Sequence, residues 1–114
     1  MRRTVQQAPG ITRTDLQRHD LSVPGREVIQ NRVDIGREAP FVRHWHPGEE
    51  IIYVLEGSLE YHLEGQEPTT LNAGDVLLVP AETVHAVKNV GIGNAAELAT
   101  YLVEKGKPFL VVVE

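Results

Sequence analysis

Apolar and polar positions alternate with a period of two through most of the chain, in short runs broken by turn-forming residues. The runs are "REVIQNRVDI", "FVRHWH", "EIIYVLE", "SLEYHLE", "TTL", "DVLLVP", "VHAVKNV", "AELATYLVE" and "PFLVVVE". Between them stand "GREAP", "PG", "EGS", "EGQEP", "NAG", "PAE", "GIGN" and "KGKP". Valine, isoleucine, leucine and tyrosine fill the runs, as strands prefer, and the separators carry turn chemistry. No stretch long enough for a stable helix shows a 3.6-residue stripe. "AELATYLVE" fits a strand as well as a short helix. Closely spaced strands with tight turns predict an all-β sandwich or barrel. Residues 1–25 have weak periodicity and read as an N-terminal arm or edge segment, leaving 26–114 as the single domain.

The chain has 114 residues, a size that suits one core. With no cysteine, thiolate zinc sites, disulfides and thiol nucleophiles are excluded, so any metal must be held by nitrogen and oxygen. The net charge of −5 is spread along the chain and argues against a nucleic-acid partner. "MRRTVQQAPG" is followed by no apolar stretch, and no window approaches the ~20 apolar residues of a membrane span. The expectation is a cytoplasmic protein with no membrane partner.

Strand parity sorts the polar candidates onto faces. His44 and His46 share a face with Val42, whereas Arg43 and Trp45 point the other way. His85 shares its face with Val87, as an interior position would. Pro47-Gly48 turns the chain so that a following glutamate re-enters the same space. Glu49 and Glu50 have opposite parity, and parity alone does not choose between them. Nor does it say whether Glu97 and Tyr101 or Leu98 and Thr100 face inward. Tyr53 and Tyr61 read as core or interface, His62 as solvated beside Glu60 and Glu64, and His19 carries no signal. Ile52, Val54, Leu77 and Val79 are the expected apolar lining. "EIIYVLE" is apolar at both parities and calls for cover on both faces, from a second sheet or another subunit.

The spacings carry more. His44-x-His46 is followed after three residues by Glu50 and after six more by Gly57; Gly74 is followed after five by Pro80, then by His85 and Asn89. This resembles the two motifs of the cupin superfamily, G-x5-H-x-H-x3,4-E-x6-G and G-x5-P-x-G-x2-H-x3-N. The resemblance implies a small antiparallel β-barrel of jelly-roll type, with His44, His46, Glu50 and His85 as metal ligands. It also makes Gly57 and Gly74 turn glycines and Asn89 structural. Two positions depart from the pattern. Glu38 stands in place of the first glycine, with Gly36 nearby to serve a shifted turn. Glu82 stands in place of the second, where a left-handed backbone would cost a non-glycine residue about 1–2 kcal/mol. Glu82 would also add negative charge at the rim of the site.

Three imidazoles and a carboxylate leave no vacancy on tetrahedral zinc but two on a six-coordinate ion. Manganese, iron or nickel therefore suit catalysis, with cobalt and zinc also compatible. Neutral imidazole is the ligand form, so metal should leave as pH falls through roughly 6. By analogy with the family, the expectation is a dioxygenase acting on a small diol, diketone or polyphenol, with Glu50 as a base. The alternatives are a metal-dependent isomerase, hydrolase or lyase, or a small-molecule binding or sensing module. A homodimer is expected, because "EIIYVLE" needs cover.

Overall fold

The computed structural model describes residues 3–113 and is built from eleven strands without a helix among them. They are β1 (Thr4–Ala8), β2 (Ile11–Asp20), β3 (Arg26–Ile35), β4 (His44–Trp45), β5 (Glu49–Glu56) and β6 (Ser58–Leu63). There follow β7 (Thr69–Asn72), β8 (Val76–Val79), β9 (His85–Asn89), β10 (Ala95–Glu104) and β11 (Val111–Val112). All pairings are antiparallel, in two sheets of order β1-β2-β3-β10-β5-β8 and β11-β4-β9-β6-β7. This is the all-β, jelly-roll-like architecture that the period-two pattern predicts. No helix in the described residues is long and apolar enough to cross a membrane.

Alternation explains which residues fill the space between the sheets. On β5, Glu50, Ile52 and Val54 are buried while Ile51, Tyr53 and Leu55 are exposed. On β6 the inward set is Leu59, Tyr61 and Leu63. With Val33, Ile35, Val79 and Val103 these side chains form one core. Each fully buried aliphatic side chain contributes about 1.5–3 kcal/mol. The outer face of β5, for which the sequence demanded cover, is left exposed by the described residues.

Several elements differ from the sequence reading. "FVRHWH" keeps only His44–Trp45 as strand, and "PFLVVVE" only Val111–Val112. The loss has a cause in the second case, where Phe109 turns inward and packs against His46 and Tyr101, with ring centroids 5.4 and 4.6 Å away. Residues 4–20, within the stretch read as an arm or edge segment, form a hairpin at the edge of the larger sheet beyond β3. On β10, which pairs with β3 in unbroken register, Ala95, Ala96 and Glu97 are all buried. Both parities of this strand carry apolar residues, so alternation alone left the face of Glu97 open. Glu97, Ala99 and Tyr101 point inward.

Gly48 holds the Pro47-Gly48 turn against β10. A Cβ there would lie 1.8 Å from the Leu102 carbonyl oxygen. Only glycine permits that approach, which delivers Glu50 to the interior. Glu82 has a φ of +62°, the one positive value outside glycine among the described residues. Its backbone N–H donates to the His46 carbonyl at 2.9 Å, tying the β8–β9 turn to a histidine of the site.

Candidate metal centre

His44 on β4 sits directly opposite His85 on β9, and His46 follows at the end of β4. Glu50 lies on β5, opposite Val79 and Tyr101. One side-chain nitrogen from each of His44, His46 and His85 lies within 4.8 Å of the others, and the three rings are 4.3–5.2 Å apart. Glu50 Oε1 is 3.1 Å from His85 Nε2 and 3.4 Å from His46 Nε2. Three of the four residues named from the sequence thus form one cluster with Glu50 beside His46 and His85, and His46, Glu50 and His85 are buried.

Hydrogen bonds fix the tautomer of each ring. Nδ1 of His44 donates to the Val42 carbonyl (3.0 Å), that of His46 to Phe109 (3.0 Å) and that of His85 to Thr83 (2.8 Å). With Nδ1 so occupied, each ring is left with Nε2 as its ligand atom, the arrangement in which backbone carbonyls orient metal-ligating imidazoles. His46 Nε2 is buried and has no hydrogen-bond partner among the described residues. A buried nitrogen lone pair with nothing to accept is costly, and a metal ion relieves it. The donor set fits a divalent transition metal.

The electrostatics agree. Burial, then repulsion from His85, pulls His44 down to about 4, so it is neutral at physiological pH. Burial disfavours the charged form of Glu50, but His46 and His85 outweigh it and hold the carboxyl well below the usual range. For His85, burial is outweighed by the hydrogen bond and charge of Glu50, and its value is raised.

Sequence reasoning missed the other polar groups in this cavity, which has about 50 Å³ of open space. Tyr61 donates to Glu97 Oε1 at 2.5 Å, both groups buried. Burial, followed by the charge of Glu50, pushes Glu97 up to about 7. Burial, followed by Glu97, raises Tyr61 far above its ordinary value. Arg13 on β2 also reaches the cavity, donating to Asn31 Oδ1 (2.8 Å) and to the Tyr101 hydroxyl (3.0 Å). Its position in the weakly patterned first 25 residues gave no signal. Of the expected apolar lining, Ile52 faces the cavity, Val54 and Val79 are buried in the core, and Leu77 packs against it. Trp45 and the exposed Glu82 do not line it, so Glu82 is no rim charge here. Asn89 knits its own turn, bonding the Ile35 and Gly93 carbonyls and the Gly91 N–H.

The fold and the histidine cluster define a β-barrel with a candidate metal site, and the comparison with known families gives it a name. The cupin domain family matches residues 32–104, and the chain belongs to that family. It is 40% identical over 45 residues to the dimethylsulfoniopropionate lyase DddQ of Ruegeria pomeroyi, covering 40% of this chain and 22% of that protein. The chain spans less than a third of the length of the curated relatives it matches. Among solved structures, KdgF from Halomonas sp. superposes with a TM-score of 0.70 at 24% identity, covering 90% of this chain and 88% of that one. The hydroxypropylphosphonic acid epoxidase of S. wedmorenis gives 0.73 at 20% identity, covering 88% and 55%. Both likenesses concern the fold.

Proposed function

We infer that this cupin is a metal-dependent enzyme that moves a proton on a small ligand, as an isomerase or a lyase does. The observation that carries the reading is the Tyr61–Glu97 pair in the same cavity as His44, Glu50 and His85. A carboxyl poised near neutrality beside a metal site is suited to general acid–base work. The metal, manganese, iron or nickel by the chemistry of the ligands, supplies Lewis acidity toward a ligand oxygen when bound. His44, His46, His85 and Glu50 hold it. Glu97 takes a proton from a ligand carbon and returns it to the neighbouring carbon or to a leaving group, while Tyr61 holds the carboxyl in place. In this reading Glu50, held as the anion by His46 and His85, is a ligand, and the role of base is assigned to Glu97. Val33, Ile35, Ile52 and Val87 keep bulk water from the exchange. The likeness to a lyase supports this reading by analogy.

The test is anaerobic. Metal-loaded protein is incubated in D2O with a panel of hydroxy acids, keto acids and β-substituted acids, and exchange is followed by NMR. The expected result is metal-dependent deuterium incorporation, abolished in Glu97→Gln with metal content unchanged. Exchange that is absent, or indifferent to Glu97→Gln, refutes the reading.

A dioxygenase acting on a small diol or diketone is the second reading, favoured by an N3O ligand set that leaves two positions on a six-coordinate ion. Metal-dependent oxygen uptake with such substrates, unaffected by Glu97→Gln, would select it. A ligand that binds and is always recovered unchanged would select a binding or sensing module.

A further inference from the structure

The unassigned feature of the barrel is the cation at its inner wall. Arg13 is partly buried, and its guanidinium is held on several sides. Nε donates to Gln7 Oε1 at 2.8 Å, and Nη1 donates to Asn31 Oδ1 and the Tyr101 hydroxyl. The rings of Phe109 and Tyr101 lie 5.3 and 5.7 Å from its central carbon. All these partners are neutral, and no carboxylate of the described residues pairs with Arg13. The two N–H groups of Nη2 have no protein acceptor among the described residues. Tyr101 accepts from Arg13 through its oxygen, which leaves its own O–H to donate. A partly buried, pre-positioned fork with accessible spare donors is the arrangement that recognises a planar anion.

A second chamber adjoins this one. It has about 340 Å³ of open space and shares Gln7, Ile11, His44 and Val87 with the inner cavity. Its remaining lining is apolar, with Pro40, Val42, Leu110 and Val112 prominent. The inner cavity accommodates a group of a few heavy atoms, whereas the outer chamber has room for a chain or a ring.

We propose that the ligand of this cupin is a carboxylate with an apolar tail, its carboxylate bound by Arg13 and Tyr101 beside the histidine cluster and its tail lying in the outer chamber. The proposal rests on the reading of the cavity as the substrate site. Arg13 is the one lysine or arginine among the described residues that line the inner cavity. Arg13 is here a ligand-binding residue that fixes where along the molecule proton transfer occurs.

Calorimetry on manganese-loaded protein tests this with hexanoate, hexanamide, acetate and inorganic phosphate as probes. Hexanoate is expected to bind saturably, with hexanamide at least about tenfold weaker for loss of the charge-assisted bonds. Acetate is expected to be at least about tenfold weaker for loss of tail burial. Arg13→Gln is expected to remove the preference for hexanoate over hexanamide, and Arg13→Lys to retain part of it, with circular dichroism unchanged. Equal binding of acid and amide, or no binding of either, overturns the proposal. Phosphate binding as tightly as hexanoate overturns the carboxylate assignment, and acetate matching hexanoate overturns the role of the outer chamber. Metal content measured on the same samples reports on the functional reading alone. Protein that takes up no metal yet binds hexanoate through Arg13 would sustain this inference and refute that one.

Discussion

His85 Nε2 lies 3.1 Å from Glu50 Oε1, while Nδ1 of the same ring already donates to the Thr83 carbonyl at 2.8 Å. Two acceptors that close repel unless a cation stands between them, so the pair must share either a proton or a metal ion. Metal uptake near neutral pH should therefore expel about one proton. Because His85 is raised above 6.5 by Glu50, the proton competes from above that pH, and metal affinity should fall as pH is lowered through it. His44, held at about 4, does not compete in that range. Calorimetry in buffers of differing ionisation enthalpy gives the proton count. Metal binding without proton release would contradict the shared-cation geometry. His85→Ala should weaken metal binding by at least about 100-fold, as loss of a direct ligand exceeds the 10–100-fold cost of losing its supporting partner.

Glu97 predicts a second pH dependence, this time in stability. Its folded value of about 7 exceeds the ordinary 4.5, so the native state takes up the proton first as pH falls. The stabilisation is fully present below about pH 4.5 and is lost as pH rises through about 7. Urea melts of metal-free protein should show Glu97→Gln gaining on the parent between about pH 5 and pH 8. Parallel profiles for the two proteins would show that Glu97 does not titrate there.

The fold and the histidine cluster were legible in the sequence because both depend on local order. Period-two alternation sets the faces, and the spacing from His44 to Glu50 and from Gly74 to Asn89 sets which strands and turns carry the cluster. Arg13 and the face of Glu97 were not legible, whereas Tyr61, read as core or interface, is a core residue. Arg13 enters through a hairpin whose exposed positions carry almost no apolar signal. Glu97 faces inward on a strand that alternates regularly but carries apolar residues at both parities, so period-two counting could not choose its face. Gly48 read only as part of a turn, since the carbonyl it accommodates belongs to Leu102, more than fifty residues along the chain.

Glu82 offers a stability gain that the sequence anticipated conditionally and the backbone now specifies. Its φ of +62° places a β-carbon in the left-handed region. Glu82→Gly removes about 1–2 kcal/mol of strain and adds about 0.5–1 kcal/mol of unfolded-state entropy. A net stabilisation of about 0.5–1 kcal/mol is expected from equilibrium urea unfolding. The side chain is exposed and lines neither chamber, so metal affinity should not change. Destabilisation would mean that the glutamate makes a compensating contribution of its own.

The outer face of β5 and β8 supplies the last prediction. Ile51 stands opposite Leu78, and Tyr53 opposite Val76, on the edge side of the larger sheet. These four side chains are 44%, 56%, 46% and 64% exposed, although their inward neighbours Ile52 and Val79 are almost wholly buried. An apolar patch beside an unpaired strand edge invites association. We propose that a second copy covers it, because a two-fold axis through the patch would lay the same apolar surface on itself. Light scattering should give twice the chain mass of 12.7 kDa at micromolar concentration. Leu78→Lys should give the single mass with an unchanged circular dichroism spectrum, since Leu78 contributes little to the core of one chain. A parent protein that is monomeric under those conditions, or a Leu78→Lys variant that remains paired, would rule out this face as the contact.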